Sequence, residues 1–155
     1  MRKQALVALM SLLALTSCAA PASSTTAPAA EEHETDEHYP DVPVVTWDAA
    51  SERSALDTAA KAMTLFARPG VEQRQWITDL APLLAEEYAT EAQYINPARV
   101  PVTAVTGDPV LTREAGNPMT ATATFATNAG KWTVLIHRTG QADPWRVVSI
   151  APKSA

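Results

Sequence analysis

Two blocks of contrasting hydrophobic period predict an α+β domain over residues 46–155, with helices packed on one face of a curved antiparallel sheet. The first block repeats apolar residues at helical spacing. The second alternates apolar residues with threonine, as half-buried strands do. About 110 residues suffice for one such domain and not for two, and no internal repeat divides them.

The first helix is predicted over residues 51–67, with Ser51 as its cap and Pro69-Gly70 as its stop. Ala55, Ala59, Ala62, Met63 and Phe66 fall on one stripe, and Glu52, Asp57 and Lys61 fall away from it. A second helical region covers residues 72–79 around Trp76. Pro82, tolerated in a first turn, opens its continuation through Leu83, Leu84 and Tyr88, with Asp79 capping the junction. The continuation frays before Asn96-Pro97.

The period then changes. Residues 100–105 read as a β-branched strand, Pro101 marking an edge or a strand start, followed by a turn at Thr106-Gly107-Asp108-Pro109 and a loop over residues 112–118. Residues 119–127 alternate, apolar at odd positions and threonine at even ones, which predicts a half-buried strand. Asn128-Ala129-Gly130 makes a hairpin loop into residues 131–138, where Trp132, Val134 and Ile136 share a face. After a turn over residues 139–144 the last strand covers residues 145–150. Four strands and two or three helices are expected.

Ahead of the domain lie two further segments. Met1-Arg2-Lys3 is a basic start, and residues 5–15 form an apolar run. As a helix that run spans about 16 Å, short of the roughly 30 Å a permanent membrane span must cross, so it reads as a signal-peptide core. Leu15-Thr16-Ser17-Cys18 resembles the bacterial lipobox, which implies diacylglycerol on the Cys18 sulfur and cleavage before that residue. Residues 1–17 are then the signal peptide. Cleavage after an Ala-rich site near Ala19 or Ala20 is the alternative. Cys18 is the chain's 1 cysteine, so no internal disulfide is possible.

Residues 18–45 read as a spacer, rich in Ala, Pro, Ser and Thr and then acidic through Glu31-Glu32-His33-Glu34-Thr35-Asp36-Glu37-His38. So few large apolar side chains cannot offset the entropy of ordering, and a flexible coil of this length reaches roughly 30 Å. His33 and His38 among carboxylates suggest a metal, but their spacing matches no established site, and none is assigned. The whole chain has 12 Lys and Arg against 17 Asp and Glu, a net charge of −5. Removing Arg2 and Lys3 makes the mature chain −7, whereas residues 46–155, with ten basic and eleven acidic residues, are near neutral at −1. Such a domain has no electrostatic footprint for nucleic acid.

The stripe ending in Phe66-Ala67, the Trp76-Ile77-Thr78-Asp79-Leu80-Ala81-Pro82-Leu83-Leu84 segment and the terminal Trp145-Arg146-Val147-Val148 strand together resemble the NTF2-like superfamily of cone-shaped α+β domains. The likeness extends to the extracytoplasmic domains of actinobacterial surface lipoproteins and conjugative-transfer components. It implies a long first helix and a shorter pair leaning on the sheet, and, in the superfamily's enzymes, a buried acid, histidine or tyrosine inside the cone.

Here the predicted strand cores contain no Asp or Glu, and His137, opposite the Trp132 face, is the one candidate base. Tyr88 and Tyr94 are candidates either to border a pocket or to pack with their hydroxyls at the rim. Serine nucleophiles lack a partner, and no phosphate loop or paired cysteines occur. The four tryptophans, Trp47, Trp76, Trp132 and Trp145, read as core. No cofactor is implied.

Three function classes stay open. One is a non-catalytic interaction module, pairing with itself or an envelope protein through the threonine-rich face at Thr120, Thr122 and Thr124, in which the resemblance suggests a role accessory to an envelope or transfer apparatus. The second is a carrier of a small apolar ligand, with a pocket lined by Met63, Phe66, Phe125 and Trp132. The third is an enzyme using His137. The expected location is the extracytoplasmic face of the cell membrane, held by lipid on Cys18. Cys18→Ser is expected to release the domain in soluble form or leave it unprocessed, as read by membrane fractionation and mass; a variant processed and membrane-bound as before would contradict lipidation.

Overall fold

The computed structural model describes residues 44–154. The expected signal segment, Cys18 and all of the expected spacer except Val44 and Val45 lie outside the described residues.

Helix α1 (Ala49–Phe66) starts at Asp48, whose extended backbone lets its carboxylate accept the Ser51 N–H at 2.7 Å. Ser51, predicted as the cap, instead sits buried inside the first turn. That backbone hydrogen bond to the ionised form holds the Asp48 carboxyl below its ordinary value. The inward stripe is the expected one, Ala55, Ala59, Ala62, Met63 and Phe66. Three alanines on this face let the helix backbone approach the sheet closely.

Helix α2 (Gln73–Leu80) is capped by Glu72, whose carboxylate accepts from the Arg74 and Gln75 amides at 2.8 and 3.2 Å. Asp79 does not cap a junction. It lies inside α2, paired with Arg68 at 2.9 Å and accepting from Gln75 at 2.6 Å. The predicted continuation is also broken. Pro82 opens only a short 3₁₀ turn (Ala81–Leu83), Leu84 then turns extended, and α3 (Glu86–Ala92) begins separately. Leu84 and Ala85 are drawn out of helix by the sheet: Leu84 bridges Val147 in parallel, and the Ala85 N–H donates to the Val147 carbonyl at 2.8 Å.

The sheet is an open, curved, antiparallel ladder of β1 (Val110–Thr112), β2 (Thr120–Thr127), β3 (Gly130–His137) and β4 (Arg146–Pro152), neighbours in that order. The α+β class, three helices and four strands are as expected, but one strand is a different one. Residues 100–105 form no strand; Val100 and Val102 are core, and only Val105 makes an isolated bridge, to Thr127. The Asn128 side chain accepts the Thr103 and Ala104 amides at 2.9 and 3.0 Å, beside two backbone bonds, Thr106 N–H to Ala126 at 2.8 Å and Asn128 N–H to Ala104 at 3.1 Å. The fourth strand is β1, just ahead of and overlapping the predicted loop, and three residues are too few to show a period.

The β2–β3 hairpin turns at Asn128-Ala129, with Gly130 at φ 91°, a backbone that favours glycine. The register shifts between Leu135 and Ile136 where they meet β4, leaving Val148 as the extra residue of a bulge. Inner-face residues of β2, β3 and β4 close on α1, and Phe66 lies between Trp76 and Trp132, with ring centroids 5.6 and 5.7 Å away. The Trp76 indole donates to the Phe66 carbonyl at 3.1 Å.

Past the end of β3 the inward phase of Trp132, Val134 and Ile136 continues onto Arg138, which is 3% exposed. Its guanidinium donates to three carbonyls, those of Thr46 (2.8 Å), Pro118 (3.2 Å) and Gln141 (3.2 Å), and lies 4.8 Å from the Trp145 ring centroid. A lysine cannot reproduce this planar fork. Arg138→Lys is expected to lower stability by about 1.5–3 kcal/mol, in the range of hydrogen bonds from a charged donor. Urea unfolding followed by tryptophan emission measures this, and an unchanged midpoint would mean the three carbonyls find other donors at no cost.

Candidate functional site: the open face of the sheet

Alternation along the strands sends the other half of their residues outward. By register, Thr112, Thr122, Leu135 and Ser149 form one row across the sheet, Val110, Thr124, Thr133 and Ala151 a second, and Thr120, His137 and Arg146 a third. These residues are half-buried by one another or exposed. Helix α1 packs on the inner face and α3 against β4, so helical contacts reach the sheet from within and from one edge.

That edge is closed by Tyr88. Its hydroxyl accepts the Ile150 N–H at 3.1 Å and faces the Ile150 carbonyl at 3.5 Å, so both backbone groups of Ile150 are engaged, and the Val147 carbonyl of the same strand accepts the Ala85 N–H. Burial pushes the Tyr88 hydroxyl above its ordinary pKa.

The outer face ends in a groove of about 520 Å³. His137, Arg146 and Val148 form its sheet wall, Thr139, Asp143 and Pro144 its loop wall, and Glu86, Glu87 and Tyr88 its helical wall. The volume is in the range of sites for small molecules or a few side chains. His137 shares a hydrogen bond of 3.0 Å between its Nδ1 and the Thr120 hydroxyl. Arg146 donates to the Pro82 carbonyl, tying the sheet wall to the 3₁₀ turn. Among the described residues His137 has no carboxylate within 4.0 Å to orient it, and no group of three or more metal-ligating side chains occurs. The site offers hydroxyls, methyls, the Arg146 guanidinium and the carboxylates of Glu86, Glu87 and Asp143 for contact.

The four residues expected to line a pocket between first helix and sheet all belong to the core cluster. Met63 and Phe125 are fully buried there. Phe66 and Trp132 also border a second depression, of about 370 Å³, with Ile95, Val100, Pro101 and Ile150. The Trp132 indole nitrogen is buried without a hydrogen-bond partner. Tyr94 stands 81% exposed, and Trp76, Trp132 and Trp145 are buried. Tyr88, expected as a pocket-bordering residue, does line the groove, whereas its neighbours there, Glu86 and Glu87, were not singled out because nothing local marks which distant strand the start of α3 will meet.

Comparison with protein-family models, with curated proteins and with solved structures finds no match. The fold itself defines an α+β domain with its helices on one face of an open four-stranded sheet.

Tyr88→Phe leaves the Ile150 amide without its partner and is expected to cost about 1–3 kcal/mol in a urea unfolding experiment. Because its pKa is raised on folding, Tyr88 contributes stability that is fully present below the unfolded value of about 10 and is lost as pH rises through the folded value. The phenylalanine variant should lack that part of the alkaline decline, and matching declines would show that Tyr88 carries none of it.

Proposed function

We propose that this chain is a lipid-anchored extracytoplasmic protein whose domain, of the NTF2-like kind, is a non-catalytic interaction module. It presents the outer face of its sheet and the adjoining groove to an envelope protein. The main support is the asymmetry of the sheet: one face is sealed by α1, while the other carries rows of Thr, Val and Ser. Threonine suits such a surface, since it offers a hydroxyl for hydrogen bonding and a methyl for packing while losing little side-chain freedom.

Closure of the β4 edge by Tyr88 favours docking on the face over strand addition there. Among the described residues no helix is long and apolar enough to cross a membrane, and the attachment proposed is lipid on Cys18. A role within an envelope or transfer apparatus follows from resemblance of fold alone. Carriage of a small apolar ligand is the second reading, supported by the depression bordered by Phe66, Trp132, Ile95 and Val100.

In the producing cells, the full-length chain with a photo-cross-linking residue at Thr122 is expected to give an adduct with a second protein. The same residue at Asp57, on the exposed side of α1, is expected to give none. No adduct at Thr122, or one only at Asp57, would remove the sheet face as the interaction surface.

A further inference from the structure

The two ends of the outer face differ in the sign of their charge. At the hairpin end Lys131 and Lys153 stand side by side, the Lys153 N–H bonded to the Lys131 carbonyl at 2.8 Å, and both line a shallow depression with Asp108. Two cations against one acid leave that end at +1. At the other end Glu86, Glu87 and Asp143 line the groove against Arg146, which leaves −2 with His137 out of the count. Arg138 also borders the groove, but its guanidinium is buried against three carbonyls, and counting it still leaves that end acidic at −1. Among the described residues the one ion pair is Arg68 with Asp79, so none of the charges on this face has its opposite within 4.0 Å.

The ends lie about 20 Å apart along β3 at roughly 3.3 Å per residue. Between them the face is uncharged, with Val110, Thr124, Thr133 and Ala151 in one row and Thr112, Thr122, Leu135 and Ser149 in the next.

A strip with opposite ends is its own complement in one orientation. Two copies laid face to face, about a two-fold axis in the plane of contact and perpendicular to the strands, run their strands in opposite directions with β4 over β4. Each lysine pair then lies over the other copy's groove. The axis along the strands would instead set like ends together and is disfavoured. The groove, of about 520 Å³, has room for a few side chains, and Tyr88, Pro144 and Val148 offer apolar surface to lysine methylenes. A foreign partner would need both charges at the same spacing, whereas a second copy supplies them by symmetry.

We infer that the envelope protein met by this face is a second copy of the chain, paired antiparallel across the sheet, with Lys131 and Lys153 of each copy over Glu86 and Glu87 of the other. This rests on the interaction reading above and names its partner.

A face about 20 Å long and four strands wide is small for a permanent dimer, so a covalent trap suits it better than a measurement of size. The test uses the full-length chain in the producing cells, with the photo-cross-linking residue at Thr122. The adduct is expected to contain this chain alone and to join Thr122 to β2 or β3 of the second copy, as read by mass spectrometry. Lys131→Glu with Lys153→Glu is expected to lower it about tenfold or more, and Glu86→Lys with Glu87→Lys to do the same. All four side chains are exposed, so thermal unfolding midpoints should be unchanged. Produced together under different tags, the two reversed chains should restore the adduct as a mixed pair, because the reversed ends then meet their opposites and the unaltered ends still match. Should the Glu86→Lys, Glu87→Lys chain fail to fold, Glu86→Gln with Glu87→Gln replaces it and is expected to lower the adduct by less. An adduct with a different protein, one undiminished by these changes, or no restoration by two folded reversed chains would each overturn the second copy while leaving a contact face. Absence of any Thr122 adduct from the unaltered chain would remove the interaction reading itself.

Discussion

The buried guanidinium of Arg138 is the constraint on which the arrangement of this domain depends. A charge taken out of water costs several kcal/mol unless its donors are engaged, so its surroundings must converge on it. Here they are the carbonyls of Thr46, Pro118 and Gln141, which engage the two terminal nitrogens, and the face of Trp145, while the Nε is buried without a partner. Those contacts fix the approach to α1, the lead into β2 and the β3–β4 loop at one point. Trp145 carries the constraint further: its indole donates to Ser54 on α1 at 3.2 Å, and its ring meets Trp47 edge-on at 5.8 Å.

With that corner held, α1 lies flat on the sheet, and its alanine stripe leaves room for the large side chains below. Phe66, Trp76 and Trp132 fill the far end, and the inner face is covered apart from the depression beside Phe66 and Trp132. Tyr88 then engages the exposed backbone of β4. What stays accessible is the outer face, and its composition follows from the same alternation that built the core: each inward Ala or Phe of β2 is followed by an outward residue, mostly threonine. Core and candidate site are two phases of one pattern.

Much of this was legible in local sequence. The α1 stripe, the alternation of residues 119–127 and the shared face of Trp132, Val134 and Ile136 are short-range regularities, and each stands as read. Boundaries that depended on a distant partner were not legible. Val100 and Val102 have strand-like side chains, yet the next two amides, those of Thr103 and Ala104, go to the Asn128 carboxamide rather than to a neighbouring strand. Leu84 has helix propensity, yet Val147 drew it into an extended bridge. Ser51 is a good capping residue, but Asp48, three positions earlier, reached the amide first.

The sequence by itself determined the fold class, the inward and outward phase of its main elements and the near-neutral charge of the domain, because these depend on residue type and period alone. Only the tertiary structure decided that Arg138 lies inside, that Tyr88 engages the backbone of β4 at Ile150, and that His137, Arg146 and the start of α3 meet in one groove. Each of those outcomes is a contact or exclusion between segments tens of residues apart, and no local pattern specifies which of several possible partners a side chain will meet.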